Sequence, residues 1–208
     1  MNPQCPSRKS DGHCFLAKLA LGALRGVFFG VAPGWVPCSV CAKEERTDMA
    51  KLLLGKPVID SLREELKGRI AALEERGVKP GLAIVRVGAR PDDLAYERTA
   101  LKRAAGLGIR ARTITLPENA SQEELMDVIA WVNSDPSIHG CLMFRPLPEQ
   151  FDEEAVCDAL DPAKDVDGIG RGSMAAVFTG RGPGYAPCTA AACIEMLDAY
   201  DIPIAGKR

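Results

Sequence analysis

The sequence lacks a strong excess of charge of either sign. Its 208 residues contain 26 lysines and arginines against 28 aspartates and glutamates, a formal net charge of −2. Residues 49–208 alone carry 20 basic and 24 acidic residues, so this part is mildly acidic, at −4. The balance gives no electrostatic reason to expect a nucleic acid or an anionic membrane as a partner.

The sequence also lacks a long uninterrupted apolar run. Its most apolar stretch, residues 15–36, is broken by Lys18 and Arg25. A membrane-spanning helix needs about twenty apolar residues with few or no charges. A secretory signal needs its charges ahead of a continuous apolar region. We therefore expect no membrane span and no signal peptide, and a cytoplasmic protein.

The eight cysteines lack the spacing of a disulfide framework. Four are scattered through the second part of the chain, which indicates a reduced protein: Cys141, Cys157, Cys188 and Cys193. Near the N-terminus, Cys38 and Cys41 have zinc-ligand spacing, and His13 with Cys14 would complete a tetrahedral set. No second tight pair accompanies them, so we favour the interpretation without a metal.

Internal repeats and low-complexity linkers are absent as well. The amino-acid pattern of the chain changes once, near Met49. We predict that residues 1–48 form an atypical, poorly ordered N-terminal extension and that residues 49–208 form one domain. Met49 as the true start of the protein is an alternative explanation for the extension.

What the domain does contain is a regular alternation of helical and strand patterns. Short apolar runs predict strands over residues 81–88, 109–117 and 138–144. Helical spacing predicts helices near residues 58–76, 91–107, 121–133 and 153–160, with a last helix that Thr189 caps. Strands separated by helices need crossover connections. We therefore predict an α/β fold whose parallel sheet has helices on both faces.

Two rigid polar turns follow apolar elements. "CLMFRPLP", residues 141–148, ends a predicted strand in an arginine flanked by prolines, and "KDVDG", residues 164–168, has the spacing of a tight turn. In parallel sheets, ligands collect at the carboxyl ends of the strands. These ends are therefore where we expect a site. "GRGPG", residues 180–184, lacks a strand before it, so we favour a surface loop there over a phosphate-binding loop.

Ordered segments across the domain carry a family resemblance. Eight segments follow one another in this order: "PGLAIVRVG", Tyr96 before "GLGI", "LPENASQEEL", "VNSDPSIHG", "RPLP", "DPAKDVDG", "PCT" and "IPIAGK". Together they resemble the bifunctional methylenetetrahydrofolate dehydrogenase/methenyltetrahydrofolate cyclohydrolase family over about residues 52–207. The resemblance does not extend to residues 1–48.

The resemblance implies one-carbon chemistry on a reduced folate. It implies oxidation of methylene-tetrahydrofolate to the methenyl cation, followed by attack of water to give 10-formyltetrahydrofolate. The family takes the hydride on NADP or NAD through a Rossmann domain, and no Rossmann fingerprint occurs in this sequence. We therefore expect no bound cofactor and no dehydrogenase activity from this chain alone. A homodimer, or pairing with a full-length homologue, is the implied assembly.

The implied site residues match in part. Tyr96 stands at the folate-site tyrosine, which we take as catalytic and substrate-binding, and Asp167, with Asp165 beside it, stands at the pterin-binding aspartate. The family's proton-transferring lysine is Ala100 here, and the glutamine that tunes it is Phe144. Impaired catalysis is therefore expected, since losing a positioned acid or base typically costs about a hundred- to ten-thousandfold in rate.

Neighbouring residues are poor replacements, and each site residue has a second interpretation. Lys102 lies roughly 200° around the helix from Ala100, and Arg145 should point to the other side of the strand from Phe144. Phe144 is either a core residue, which we favour, or a stacking wall of the pocket. Tyr96 is alternatively a packed helix residue, and the two aspartates alternatively fix a turn. A non-catalytic folate-binding or regulatory module, and a non-functional truncated gene product, are the alternative functions.

Overall fold

The computed structural model describes residues 50–207. The predicted N-terminal extension and the cysteine and histidine cluster within it lie outside the described residues.

Three strands and six helices follow one another along the described chain. The strands are β1 (Gly81–Val87), β2 (Arg110–Leu116) and β3 (Gly140–Met143). The helices are α1 (Gly55–Glu75), α2 (Pro91–Leu107), α3 (Gln122–Ser134), α4 (Glu153–Ala159), α5 (Arg171–Thr179) and α6 (Cys188–Ala199). The predicted alternation of helices and strands is confirmed.

The three strands form one parallel sheet in the order β2-β1-β3. β1 is central, and its Val85 is paired with Ile114 on one side and Met143 on the other. All seven residues of β1 are buried, as expected for a strand covered on both faces. The carboxyl ends of the strands therefore meet at one edge of the sheet.

Successive residues of β1 pack alternately into two separate hydrophobic cores. Ala83, Val85 and Val87 pack with the apolar side chains of α3 and α4. Leu82 and Ile84 point the other way and pack with Ile70 of α1 and Ala104 of α2, in the two-residue alternation of a strand. The predicted three-layer fold, with helices on both faces of the sheet, is confirmed.

Local sequence signals set the ends of α2 and α3. Pro91 begins α2, and Gly108 ends it with a left-handed φ of 80°. The predicted capping box of α3 is present: Ser121 Oγ accepts from Glu124 N at 3.1 Å, and Ser121 N donates to Glu124 Oε2 at 2.7 Å. These reciprocal bonds satisfy donors that a helix leaves free at its start.

The region after α4 differs from the prediction. α5 was not expected, and Thr189 does not cap α6, because the N-cap position is Pro187 and Thr189 lies inside the first turn. The interpretation of residues 180–184 as a surface loop is confirmed, since these residues follow α5 and residues 180–183 are exposed. Within residues 50–207, we find no helix with the length and apolarity needed to span a membrane.

Candidate ligand-binding site

A cavity of about 380 Å³ lies at the carboxyl end of β3. One wall comes from α2, a second from the end of β3 and the residues after it, and a third from the turn that follows α4. The lining residues are Asp92, Asp93, Tyr96, Leu142, Met143, Phe144, Arg145 and Asp167. The cavity therefore brings together three of the predicted site residues, Tyr96, Phe144 and Asp167, at the edge of the sheet where ligands were expected.

The two aromatic rings of the cavity contact each other. The ring centroids of Tyr96 and Phe144 are 5.4 Å apart and the ring planes are inclined at 72°, an edge-to-face pair. Phe144 is only 7% exposed and belongs to the core on the α2 side of the sheet. Phe144 is thus a core residue that also lines the cavity, and its stacking against a ligand stays a prediction.

Tyr96 keeps its proton in this setting. Burial raises the pKa of the Tyr96 phenol, and the nearby charges of Asp167 and of an ionised Cys188 raise it further, while Arg103 acts in the opposite direction. The ordinary pKa of tyrosine is already near 10. At neutral pH the hydroxyl is therefore a hydrogen-bond donor at the edge of the cavity.

The charged residues of the "KDVDG" turn have different structural roles. Asp167 lines the cavity. Lys164 turns away from it and donates from Nζ to the carbonyl oxygens at the end of α3, those of Val132, Asn133 and Asp135, at 2.8, 2.9 and 2.8 Å. A lysine at this end of a helix satisfies free carbonyls and opposes the negative end of the helix dipole.

Gly168 fixes the conformation of the turn next to Asp167. Its φ is 66°, and a Cβ added there would lie 2.5 Å from the carbonyl oxygen of Tyr185. A side chain does not fit in that space, and the left-handed backbone already favours glycine. The position of the Asp167 carboxylate is therefore set by the fold.

Asp165 does not line the cavity, which corrects the expectation that it contacts the substrate. Its side chain is fully buried, at 0% exposure. Oδ1 accepts from Ile169 N at 3.1 Å, and Oδ2 accepts from Gly170 N at 2.9 Å and from Ser173 Oγ at 2.7 Å. Both oxygens are occupied by the start of α5, so the role of Asp165 is structural.

Arg145 also lies where it was not expected. β3 ends at Met143, so the chain has left the strand at Arg145 and this residue lines the same cavity as Phe144. Glu153 holds the segment: its carboxylate lies 3.3 Å from Arg145 Nη1 and accepts from Leu147 N at 2.8 Å. Sequence reasoning missed Asp92, Asp93 and Arg145 as lining residues, although Asp92 and Asp93 follow a strand end in the sequence.

Ala100 lies one turn after Tyr96 and packs against the core on the same face of α2. Lys102 lines a groove on another face of α2, together with Arg98. The expectation that Lys102 cannot take the place of a lysine at position 100 agrees with this geometry.

A buried ion pair holds α2 against the sheet. Arg86 Nε of β1 lies 2.7 Å from the carboxylate of Glu97, and both side chains are largely buried. The Arg86 guanidinium also donates to the carbonyl oxygen of Gly88 and to Thr115 Oγ1 of β2. Because Glu97 follows Tyr96 in the chain, this pair fixes the part of α2 that carries the tyrosine.

Replacing Glu97 with glutamine should therefore lower stability markedly. Removing one partner of a buried pair leaves the other charge uncompensated, which typically costs about 3–5 kcal/mol. We expect the melting temperature of Glu97→Gln to fall by about 6 °C or more, at roughly 2–4 °C per kcal/mol for a domain of this size. Asp60→Asn, which breaks exposed pairs with Lys56 and Arg63, is the matched control, and we expect no measurable shift for it. Equal shifts for the two variants would show that the Arg86–Glu97 pair has no special role.

Comparison with known proteins agrees with the site and the fold. Residues 53–167 match the model of the tetrahydrofolate dehydrogenase/cyclohydrolase catalytic domain. The chain belongs to this family. The resemblance found in the sequence is thus confirmed, and the matched residues include Tyr96, Ala100, Phe144 and Asp167.

Curated relatives and solved structures of the tetrahydrofolate dehydrogenase/cyclohydrolase family give the same result. The chain is 44% identical over 160 residues to the bifunctional protein FolD of Carboxydothermus hydrogenoformans and 42% identical over 160 residues to that of Alkaliphilus oremlandii, covering 77% of this chain and 56% of each relative. The bifunctional enzyme FolD of Campylobacter jejuni superposes with a TM-score of 0.73 at 32% identity, over 76% of this chain and 56% of that one. FolD of Trypanosoma brucei, solved with NADP and an inhibitor, superposes with a TM-score of 0.70 at 33% identity, over 76% of this chain and 55% of that one. The chain spans about half the length of the curated relatives it matches.

The glycine-rich segment of the described residues does not fit the dinucleotide that some family members use. A dinucleotide phosphate loop joins a strand to the N-terminus of a helix. Residues 180–184 instead follow α5 and are separated from α6 by Tyr185, Ala186 and Pro187. We therefore assign no hydride transfer step to these residues.

Proposed function

We propose that the cavity binds a reduced folate. The observation that carries the proposal is the meeting of an aromatic pair, Tyr96 and Phe144, with the carboxylate of Asp167 around one cavity at the carboxyl end of the sheet. A pterin is flat and carries N–H groups along one edge. Aromatic rings contact such a face, and a carboxylate held by a tight turn accepts hydrogen bonds from such an edge.

The charges around the cavity favour a cationic form of the ligand. Three carboxylates, those of Asp92, Asp93 and Asp167, line it together with one guanidinium, that of Arg145. Arg145 is paired with Glu153 and Asp93 is paired with Arg90, at 3.3 and 2.8 Å. The methenyl bridge of the oxidised folate carries a positive charge, so placing this bridge in the cavity gains from the net negative lining.

The reaction supported by this arrangement is hydrolysis of the methenyl bridge, at a reduced rate. Water must lose a proton as it adds to the methenyl carbon, and a group positioned near that carbon has to accept it. Ala100 supplies no such group. The proposed activity is therefore a slow methenyltetrahydrofolate cyclohydrolase. The second candidate is folate binding without turnover, which the packing of Ala100 against the core favours.

Folate binding can be tested with a matched pair of tyrosine variants. We expect tetrahydrofolate to bind the natural chain, measured by titration calorimetry, and Tyr96→Leu to weaken binding by about tenfold or more, since loss of a stacking contact is worth roughly 1–3 kcal/mol. Tyr200→Leu is the control, because Tyr200 contacts Leu54 and lies outside the cavity lining. Absence of tetrahydrofolate binding to the folded natural chain would refute the proposal.

A further inference from the structure

An ion pair joins the wall of the cavity to α4. Arg145 lines the cavity, and its Nη1 lies 3.3 Å from the carboxylate of Glu153, the first residue of α4. The described residues that line the cavity do not include Glu153. Glu153 can therefore influence a ligand in the cavity only through the guanidinium that it faces or by its charge at a distance.

Glu153 holds the wall of the cavity at two points. Its Oε1 accepts from Arg145 at 3.3 Å, and its Oε2 accepts from Leu147 N at 2.8 Å, on the other side of Pro146. The side chains of Arg145 and Glu153 are 39% and 34% exposed. Solvent therefore screens the pair in part, and the pair contributes little to the stability of the fold. Its main effect is to fix and neutralise a positive charge beside the cavity.

The other charges around the cavity make this neutralisation important. Asp92 and Asp167 line the cavity, and neither forms an ion pair within the part of the chain that the structure describes. Cys157 lies near the charges of Arg145 and Glu153, but burial raises the pKa of its thiol, so this group is uncharged at neutral pH. With Glu153 in place, the lining keeps a net negative charge. Without it, the guanidinium would offset one of the two free carboxylates.

We propose that Glu153 is a positioning residue that sets the charge preference of the cavity. By neutralising Arg145, it lets the site prefer a folate whose one-carbon bridge is positively charged over a folate without that charge. The inference rests on the folate binding proposed above and adds a residue that does not touch the ligand. A guanidinium without its carboxylate would repel the charged bridge, because like charges brought together at a binding site lower affinity.

The test compares the affinities of methenyl-tetrahydrofolate and tetrahydrofolate by titration calorimetry. The two ligands share the pterin and the tail, and only the first has a positively charged bridge. In Glu153→Gln we expect the affinity for methenyl-tetrahydrofolate to fall about three- to fivefold and that for tetrahydrofolate to change by less than about twofold. The amide oxygen of glutamine can still accept from Leu147 N, so the wall should keep its position. The effect should shrink in about 1 M salt, where charges are screened beyond about 3 Å.

Glu154→Gln is the matched control. Glu154 is the next residue of α4, its partner is Arg171, and neither residue lines the cavity, so the loss of the same charge should leave both affinities unchanged. Arg145→Gln alone should shift the ratio of the two affinities toward methenyl-tetrahydrofolate. In Arg145→Gln/Glu153→Gln both charges of the pair are removed, and the ratio should return to its natural value.

Several outcomes would overturn this inference while the folate proposal stands. A fall of both affinities by the same factor in Glu153→Gln would indicate a purely structural role, and an equal effect of Glu154→Gln would indicate a general effect of charge. A ratio that stays low in the double variant would show that Glu153 does not act through Arg145. Should Glu153→Gln fail to fold, an unchanged ratio in Arg145→Gln alone would overturn it. If neither ligand binds the natural chain, the folate proposal falls and this inference falls with it.

Discussion

Ala100→Lys should raise the rate of methenyl-tetrahydrofolate hydrolysis by roughly 100- to 10,000-fold over the natural chain, because it restores a group that exchanges protons with water. Position 100 lies one turn after Tyr96, and both residues pack against the core that contains Phe144, a wall of the cavity. A lysine there can extend its flexible stem along the apolar wall and place its ammonium in the cavity. The measurement is the loss of methenyl-tetrahydrofolate absorbance with each purified protein.

Ala105→Lys is the matched control for this experiment. It makes the same substitution on the same helix at an exposed position that lines neither the cavity nor the groove, so its rate should equal that of the natural chain. Fast hydrolysis by the natural chain would contradict the assignment of position 100 and direct attention to Asp92, Asp93 and Asp167. Inert proteins throughout, with folate still bound, would favour the non-catalytic binding module.

Combining Phe144→Gln with Ala100→Lys would give a result that is harder to interpret than the sequence alone indicates. The family resemblance places a glutamine at this position. In this chain the side chain is 7% exposed and contacts the ring of Tyr96. An amide in that position needs hydrogen-bond partners, and burying it without them costs about 1–3 kcal/mol. The single Ala100→Lys variant is therefore the cleaner test.

The sequence predicted the elements whose ends are determined locally. The capping box at Ser121 and Glu124 and the glycine at 108 are signals within a few residues of the helix ends they determine, so α2 and α3 were found with nearly correct bounds. α5 was missed because its start is stabilised by carboxylates that lie five and thirteen residues before the backbone groups they bind. Asp165 accepts from Gly170 N, and Asp158 accepts from Arg171 N at 2.9 Å. Neither carboxylate occupies the N-cap position, so no local sequence pattern predicts the start of this helix.

The sequence predicted several of the residues that line the cavity, but it did not predict how they are arranged. Tyr96, Phe144 and Asp167 line one cavity, and their contact with a substrate stays a prediction. The sequence could not distinguish Asp165 from Asp167, since both flank Val166 in a turn and both are carboxylates. It also could not show that the strand ends at Met143, which is why Arg145 was placed on the wrong side. These are properties of tertiary packing.

The pair Asp165→Asn and Asp167→Asn separates the structural carboxylate from the proposed ligand-binding one. At position 165 the amide must place an N–H₂ group against either Ile169 N–H or the donors of Gly170 and Ser173. A buried donor left without an acceptor costs about 1–3 kcal/mol. We therefore expect Asp165→Asn to lower the melting temperature by roughly 2–12 °C, measured by circular dichroism.

Asp167→Asn should show the opposite pattern. Asp167 is half-buried at the cavity wall and Gly168, which sets the turn, is unchanged, so we expect the melting temperature to stay within about 1 °C of the natural value, as for most substitutions away from buried networks. Tetrahydrofolate affinity should fall by about ten- to a hundredfold, because a hydrogen bond to a charged acceptor is worth roughly 1.5–3 kcal/mol. Unchanged affinity in Asp167→Asn would remove the carboxylate from the proposed pterin contact. A loss of affinity in Asp165→Asn while it remains folded and Asp167→Asn binds normally would exchange the two roles.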